Sequence, residues 1–313
     1  MIKVSSGTLG VLGLADTRLD APPTTAYLMV GGRCRRDCAF CAQARSSEAS
    51  ATALSRVNWP VWDEAEALDA VREAYTRGRI QRCCLQVTVS PGSVERAQSI
   101  AARLGHQVPL SVSVVANVEQ VGELFNAGVQ RVGLSLDAVN DEVFRRVKGG
   151  DLHKSLEAIQ EAANRFPGCI TTHLMVGLGE TEEEMVRMMA LLLDGGVTPA
   201  LFAFTPIRGT AMEAVAAPSL ARYRRLQVAR HLLKQGLCSA QEFSFSGQGQ
   251  ILSFGFSRSA LEEILDDGWA FRTSGCPGCN RPYYNEAPRG PLYNYPRPLT
   301  AAEVGRAVED ALS

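Results

Sequence analysis

The 313 residues contain no apolar run approaching the roughly 20 residues needed to cross a bilayer. The opening stretch, Met1-Ile-Lys-Val-Ser-Ser-Gly-Thr-Leu-Gly10, lacks the apolar centre of a secretion signal. Net charge is missing too: 32 Lys and Arg against 33 Asp and Glu leave −1, whereas a nucleic-acid binder usually shows a basic excess. These absences predict a cytoplasmic protein that engages neither membrane nor nucleic acid. What is present, 46% hydrophobic and 21% charged residues, suits a soluble globular chain with ample core. The length suits one barrel of alternating strands and helices.

Cysteine is the residue in excess. Nine of them, an odd number in a reducing compartment, point to metal or redox chemistry rather than disulfides. Three lie in Cys34-Arg35-Arg36-Asp37-Cys38-Ala39-Phe40-Cys41, a loop entered through Gly31-Gly32 after the apolar run Tyr27–Val30. Short runs of this kind hold iron–sulfur clusters, and the usual cubane takes four thiolates. This run supplies three, which leaves one iron open to a ligand that is not protein. The competing readings are a structural zinc site, a disulfide staple or plain buried cysteines; zinc prefers paired CxxC knuckles and four protein ligands.

Residues 1–24 carry Pro22-Pro23 and no clear period, and read as a segment packed outside the first repeat. Beyond them, periodicity predicts strands over Thr25–Val30, Arg82–Val89, Val108–Ala116, Arg131–Leu136, Ile170–Val176 and Leu201–Thr205. Helices are predicted over Asp63–Arg77, up to Leu104, over Asp141–Arg146, Leu152–Asn164, Thr181–Leu193 and Leu220–Gln235. Short strands near Glu242–Phe245 and Phe271–Thr273, with a helix Ser259–Asp266 between them, would extend the series. Such alternation implies a parallel sheet. Six to eight units imply a (β/α)8 or nearly closed TIM-like barrel over residues 25–273 of a single domain, with a cysteine loop and tail over 274–313. The stretch from Gly31 to Pro60 is long for a connection, and loops of that length are commonly functional.

Alternate side chains of a strand face opposite sides. In Cys83–Val89 the face Cys83, Leu85, Val87, Val89 is apolar and must meet helices, so Cys84, Gln86 and Thr88 look inward. The same split turns Ser111 and Ser113, Ser135 and Asp137, and Thr171 and His173 toward the barrel centre. A polar centre suggests a ligand cavity rather than a purely packed interior.

The cysteine run, Ser135 and Asp137 after the fourth strand, and Val176-Gly177-Leu178-Gly179-Glu180-Thr181 after the fifth together resemble the radical S-adenosylmethionine (SAM) enzymes of the biotin synthase type. The resemblance implies that Cys34, Cys38 and Cys41 hold a [4Fe–4S] cluster whose open iron chelates SAM, and that an electron from it cleaves SAM to a 5′-deoxyadenosyl radical. It also implies SAM contacts from Phe40 beside Cys41, from Ser135 and Asp137 at the ribose, from Gly177, Gly179 and Glu180 near the adenine, and from Arg208 in Phe204-Thr-Pro-Ile-Arg208-Gly-Thr210. Where the family has Gly-Gly-Glu after the second strand, this chain has Gln86-Val-Thr88-Val, which leaves Gln86 or Thr88 for the SAM ammonium. On their own, Asp137 also reads as a helix cap and Gly179-Glu-Thr-Glu182 as a turn and acidic helix start.

A second constellation, Ser274-Gly-Cys276-Pro-Gly-Cys279-Asn-Arg281-Pro-Tyr-Tyr-Asn-Glu286, follows the last predicted strand. It is expected to open onto the same barrel mouth as the first loop, since ligands gather at the C-terminal ends of parallel strands. CPGC is half a zinc knuckle with no second half elsewhere. Joined by inward-facing Cys84, it suits a second, auxiliary iron–sulfur cluster, taken as [4Fe–4S], with Cys83, Cys238, Ser274 or Arg272 as candidates for a fourth ligand, or an open site. Biotin synthase's own auxiliary set is not preserved, since Thr171 stands where a cysteine should and the third strand offers Ser111 and Ser113. Cys41-Ala-Gln-Ala-Arg-Ser-Ser47 and Gly275-Cys-Pro-Gly-Cys-Asn-Arg-Pro-Tyr-Tyr-Asn-Glu286 resemble instead the two-protein lipoyl synthases.

That closer resemblance implies a sulfurtransferase that moves sulfur from the auxiliary cluster into a protein-bound octanoyl chain. Its implied partners are an octanoylated lipoyl-carrier protein or domain, a second radical SAM protein, and an electron donor such as ferredoxin or flavodoxin. The alternatives are biotin synthase or another biotin synthase-like enzyme, and a noncatalytic iron–sulfur or zinc scaffold, for which SAM-binding residues would have no use. Three further features have two readings each. His173 touches substrate or SAM, or is a satisfied core histidine. The basic helix from Arg222 through Arg225 to Arg230 docks an acidic carrier, or is a solvated face. The tail Pro288–Pro298 closes the barrel mouth, or wraps the surface before a last helix over Ala301–Leu312.

Overall fold

The computed structural model describes all 313 residues. One curved sheet organises them. Its strands are β1 (Ile2–Val4), β2 (Thr25–Val30), β3 (Val61–Trp62), β4 (Arg82–Val87), β5 (Leu110–Val114), β6 (Arg131–Leu134), β7 (Ile170–Val176) and β8 (Thr198–Ala203). They lie in the order β8-β7-β6-β5-β4-β2-β1-β3. The run from β2 to β8 is parallel throughout. Every residue of β2 is buried, as expected of a strand covered on both faces.

Six of the strands expected in the barrel are thus present, and the nearly closed form of the expected barrel is the one adopted. The extremes differ from the reading by period. The N-terminal segment is not an external wrap: β1 inserts antiparallel between β2 and β3, pairing Lys3 with Met29 and Ile2 with Trp62. Three residues are too few to show an alternation. At the other end, Ser244–Phe245 pairs with Ile251–Ser253 as a separate hairpin, turned at Ser246-Gly-Gln-Gly249, and leaves the barrel at six parallel strands. Residues 271–273 contribute one bridge, Arg272 to Tyr295.

Helices follow the strands and, except for the one that begins after Gly92, start on side-chain caps. Among them are α1 (Ser6–Leu12), α2 (Glu64–Thr76), α3 (Ser93–Leu104), α4 (Val118–Asn126), α5 (Asp141–Val147), α6 (Leu152–Arg165), α7 (Glu182–Asp194) and α8 (Leu220–Lys234). Asn117 with Gln120 and Thr181 with Glu184 form reciprocal capping boxes, each satisfying two backbone N–H groups that the first turn would leave orphaned. The outward residues Cys83 and Leu85 are fully buried beneath the helices. Cys84 and Gln86, one residue out of phase, face the interior.

Arg224, Arg225 and Arg230 of α8 are buried, so the solvated-face reading does not hold for them. Arg224 is 1% exposed and donates to the carbonyls of Leu292 and Tyr293. Arg225 makes a forked ion pair with buried Glu182, closest at 2.7 Å. The tail from Leu292 to Tyr295 therefore packs along α8 on the outside of the barrel, the surface-wrap alternative, and covers charges that a helical wheel would assign to water.

Sheet edges β8 and β3 do not pair with each other. Residues 274–285 span that gap. On the β8 side Leu201 N–H donates to Ser274 Oγ at 2.8 Å and Thr205 Oγ1 to the Asn285 carbonyl at 3.1 Å. On the β2 side Thr24 N–H donates to Asn280 Oδ1 at 2.9 Å and Arg281 N–H to the Tyr27 hydroxyl at 3.0 Å. The C-terminal segment is a wall of the barrel.

Candidate active site

The barrel encloses a cavity of about 270 Å³. All six cysteines singled out in the sequence, Cys34, Cys38, Cys41, Cys84, Cys276 and Cys279, line it. So do Phe40, Gln86, Thr88, Ser135, Asp137, Thr171 and His173. The thiols stand around this void; no three His, Cys, Asp or Glu side chains converge closely enough to hold a single ion.

The first cysteine loop sits at the C-terminal ends of the strands. Gly31, at φ +98°, turns the chain out of β2, and a Cβ there would fall 2.3 Å from Thr88 Oγ1, so only glycine fits. Arg35 N–H donates to the Val89 carbonyl beyond β4, and Ala39 N–H to the Val147 carbonyl at the end of α5, both at 2.7 Å. Within the loop Cys34 N–H reaches the Gln43 carbonyl and Cys41 N–H the Cys38 carbonyl, each at 3.0 Å. Buried Gln43 holds the returning chain through the Ala51 and Ala53 carbonyls. The backbone of the three-cysteine run is therefore fixed by the end of β4, by the end of α5 and by the long loop behind it. Burial pushes the Cys41 thiol up to about 12 and the Cys38 thiol upward as well; thiols so placed lose their protons on binding a cation.

Asp137 lies beside this loop. Its N–H donates to the His173 carbonyl at 2.7 Å and its own carbonyl accepts from Met175 N–H at 2.8 Å, so it continues β6 by one bridge along β7. Its φ of +67° is uncommon for a residue with a side chain. Lys148, which follows α5, holds the carboxylate at 2.9 Å and donates to the Ser135 and Leu136 carbonyls. The helix-cap reading of Asp137 does not apply: Asn140 caps α5. His173 stands between Ser135 Oγ, 3.4 Å from its Nδ1, and the ring of Phe202 at 4.8 Å. Burial lowers its pKa to about 4, so the imidazole is neutral at pH 7.

The second cysteine group does not share the mouth. Arg82, the first residue of β4, donates to the Pro277 carbonyl at 2.8 Å and to Ser111 Oγ at 2.9 Å. Thr24, just before β2, donates through Oγ1 to the Gly278 carbonyl at 2.6 Å. Cys276-Pro-Gly-Cys279 thus closes the floor, at the N-terminal ends of the strands. The expectation of a common mouth failed because the chain passes the hairpin and a further helix after β8, and enters from below.

Register places Tyr27, Cys84 and Ser111 side by side in the lower layer of the barrel. Each thiol there has a polar neighbour. Gln86 Nε2 is 3.2 Å from Cys84 Sγ, Ser111 Oγ 3.4 Å from Cys276 Sγ, and the Tyr27 hydroxyl 3.3 Å from Cys279 Sγ. Burial raises the pKa values of Cys84 and Cys279, the latter opposed by Arg281 and by the Tyr27 hydrogen bond. Of the candidates for a fourth ligand, Ser274 lines the cavity. Cys83 points into the core, Cys238 lies near Glu242, and Arg272 stacks on Trp269 at 4.3 Å.

Four residues expected at SAM are not brought to the cavity. Glu180 is 3% exposed, and its carboxylate accepts from the N–H groups of Gly177, Leu178 and Gly179 while pairing with Arg222 at 2.8 Å. It clasps its own loop. Gly177 and Gly179 turn that loop at φ +103° and +122°, away from the cavity lining. Arg208 is exposed at the rim, where its neighbour Ile207 lines the space instead. Thr88 lines the cavity, but its hydroxyl proton goes to the Gly32 carbonyl at 2.8 Å.

Period reading also missed Tyr27, Lys148, Phe202 and Arg281, which all line the cavity. Tyr27 was within reach, since it alternates with the outward Ala26 and Leu28. Arg281 has a φ of +32°, packs its guanidinium 3.7 Å from the Phe202 ring centre, and donates to the Ser274 carbonyl at 2.8 Å. Its Nη1 is buried without a partner.

Comparison with known proteins agrees with this geometry. The family model described as the radical SAM superfamily matches residues 28–192, from β2 through most of α7. Biotin synthase of Magnetococcus marinus is 25% identical over 167 residues, 51% of this chain and 50% of that protein. The chloroplastic lipoyl synthase of Arabidopsis thaliana is 26% identical over 187 residues, 55% of this chain and 44% of that protein. The chain thus spans half or less of the length of these curated relatives. Among solved structures, methylornithine synthase superposes with a TM-score of 0.54 at 14% identity, over 67% of this chain and 62% of that one, a likeness of fold. With more than half of its residues inside the family model, with biotin synthases among its relatives and with the three-cysteine loop seated on the six-stranded barrel, the chain belongs to the radical SAM superfamily and is biotin synthase-like.

Proposed function

We propose that the protein inserts sulfur into the octanoyl chain of a lipoyl-carrier protein, as one of two partner radical SAM proteins, with the sulfur drawn from an auxiliary iron–sulfur cluster. Superfamily membership implies a [4Fe–4S] cluster and SAM. The observation that carries the finer reading is the placement of Cys84, Cys276 and Cys279 at the floor of the cavity whose mouth holds Cys34, Cys38 and Cys41. A second cysteine pole facing the first supports a cluster within reach of the substrate, as a sulfur donor requires.

The residues present fit these groups. Three thiols at each pole, with a hydrogen-bonding side chain beside each floor sulfur, make a donor set suited to sulfur-ligated iron. When bound, the two clusters and SAM supply hydrogen abstraction from an unactivated carbon and the sulfur that replaces the hydrogen, chemistry outside the reach of side-chain acids and bases. Cys34, Cys38 and Cys41 would hold the first cluster, and Cys84, Cys276 and Cys279 the second. Asp137, held by Lys148, would offer its carboxylate to the paired hydroxyls of the SAM ribose. Neutral His173 and the Phe202 ring line the wall between the poles, where the carbon chain would lie, with the Arg281 guanidinium stacked on Phe202. The second-pole residues of biotin synthase are not reproduced here, which favours the lipoyl over the biotin reading.

Anaerobically reconstituted protein, incubated with SAM, reductant, an octanoyl-lysyl carrier and the partner protein, should yield 5′-deoxyadenosine and a carrier heavier by sulfur. Sulfur gained by dethiobiotin alone would refute the lipoyl assignment. The double variant Cys276→Ala/Cys279→Ala should lose about half its iron and sulfide and all transfer; an unchanged iron content would remove the second cluster.

A further inference from the structure

Lys148 closes α5, its N–H donating to the Phe144 carbonyl at 2.9 Å. Its side chain is 6% exposed, with Nζ 5.3 Å from the centre of the buried Phe144 ring. Lysine is almost never buried without partners, and those of Lys148 lie in one short segment. Nζ donates to the Ser135 and Leu136 carbonyls at 2.5 and 3.0 Å and pairs with Asp137 Oδ2 at 2.9 Å. This is the segment that leaves β6 with Asp137 in the left-handed region. A carboxylate offers about four acceptor sites. Lys148 is the one cation paired with Asp137, so acceptor sites remain for a ligand in the cavity that Asp137 lines.

The residue before it reaches a different target. The Val147 carbonyl accepts from Ala39 N–H at 2.7 Å, between Cys38 and Cys41. Two consecutive residues at one helix end therefore hold the three-cysteine loop and the Asp137 carboxylate. Asp137 and Lys148 both lie close enough to Cys38 for their charges to bear on its thiol. The helix end is itself fixed, because Val143, Phe144 and Val147 are packed in the core and Asn140 caps the first turn. Without the ammonium, the Val147 contact would stay while the carboxylate lost its only ion-pair partner. An enclosed carboxylate in that position is unfavourable, so it would turn toward water or other donors and away from its present orientation.

We propose that Lys148 is a positioning residue for SAM: by holding the Asp137 carboxylate it sets the preference for a ribose that carries both hydroxyls. Because the adjacent Val147 clamps the three-cysteine loop, the same end of α5 keeps that carboxylate in register with the first cluster. A ligand gripped by the cluster at one place and by its ribose at another depends on that register. The inference rests on the reading given above of Asp137 as the ribose contact, and is independent of the second cysteine pole and of what the radical attacks.

Anaerobic equilibrium dialysis of the reconstituted full chain against SAM and against its 2′,3′-dideoxyribose analogue tests it. The wild-type protein should prefer SAM by about tenfold or more, the worth of hydrogen bonds to a charged group. In Lys148→Met SAM affinity should fall about tenfold while that for the analogue stays within about twofold, so that the preference drops to about threefold or less. Iron content should match the wild type, since the Val147 clamp is kept. Asp137→Asn, whose side chain also tolerates the left-handed backbone, should lose the preference to the same extent. A purely structural lysine would weaken both ligands alike; equal losses, or a wild-type preference retained in Lys148→Met, overturn the proposal. Lys148→Gln keeps donors for the two carbonyls and removes the charge, and carries the same expectation and the same refutation if the methionine variant does not fold. Preference lost in Asp137→Asn but kept in the lysine variants defeats the positioning role alone. A wild-type protein that binds both ligands equally defeats the ribose reading of Asp137 beneath it.

Discussion

Glu180→Gln separates a structural from a cofactor-binding role at a residue whose sequence context suggested SAM. In the fold its carboxylate accepts three backbone N–H groups at 2.8–3.1 Å and pairs with Arg222 at 2.8 Å, all within a loop that two positive-φ glycines make possible. Hydrogen bonds to a charged group contribute about 1.5–3 kcal/mol each, and such groups do not add. A glutamine keeps one acceptor oxygen and turns an NH2 toward donors, so one or two backbone N–H groups lose their partner and Arg222 loses its charge mate. The expected cost is ~3 kcal/mol, and with roughly 2 °C per kcal/mol for a chain of this size the melting temperature should fall by ~6 °C. Thermal unfolding followed by circular dichroism measures the cost, and equilibrium dialysis below the transition measures SAM affinity. Affinity should stay within about threefold, or ~0.7 kcal/mol. A variant as stable as the wild type that no longer binds SAM would refute the clasp and return Glu180 to the cofactor.

Two further outcomes follow from buried charge. His173 has its pKa lowered to about 4 by burial, against ~6.5 in the unfolded chain; the unfolded state therefore takes up the proton first, and stability should fall as pH drops from about 6.5 toward 4. The full shift would be worth ~3 kcal/mol, and ~2 kcal/mol is the better expectation because the ring borders a cavity rather than packed core; His173→Gln should flatten that limb of a urea-denaturation series, and a parallel limb in the variant would count against the assignment. Arg225→Met strands Glu182, whose side chain is 4% exposed and also accepts from Ile251 N–H, and should cost ~3–5 kcal/mol in the same measurement; the double change Arg225→Met/Glu182→Leu should regain much of it, and equal losses in both would show that the ion pair is not the cause.

What the sequence disclosed was whatever a short period could carry. Strands β2 and β7 have the bounds that alternation predicts, and the one-residue phase difference between Cys83 and Cys84 correctly sends one thiol to the core and the other to the cavity. The parts that escaped depend on what covers a residue from afar. Arg224 of α8 looks solvated until Leu292–Tyr295 is laid over it, and Arg225 until Glu182 is brought to it. The direction from which Cys276-Pro-Gly-Cys279 enters depends on a path of about seventy residues after β8, and no local pattern records it. Glu180 reads as the start of an acidic helix, because three backbone donors folded back on one carboxylate leave no trace in residue types.

The seam closed by residues 274–285 also fixes an order of assembly. Tyr27 and Cys279, whose side chains touch, are 252 positions apart. As the chain leaves the ribosome, β2 through β8 can pair while the floor of the cavity is still unmade, and the interior stays open on its lower side until the last stretch docks. On the proposed reading, in which the lower cysteines hold a second cluster, iron and sulfide would have a wide entrance during that interval and a sealed floor afterwards. Loading of that pole would then be tied to the final step of folding, and a chain closed empty would have to undock its own wall to be filled.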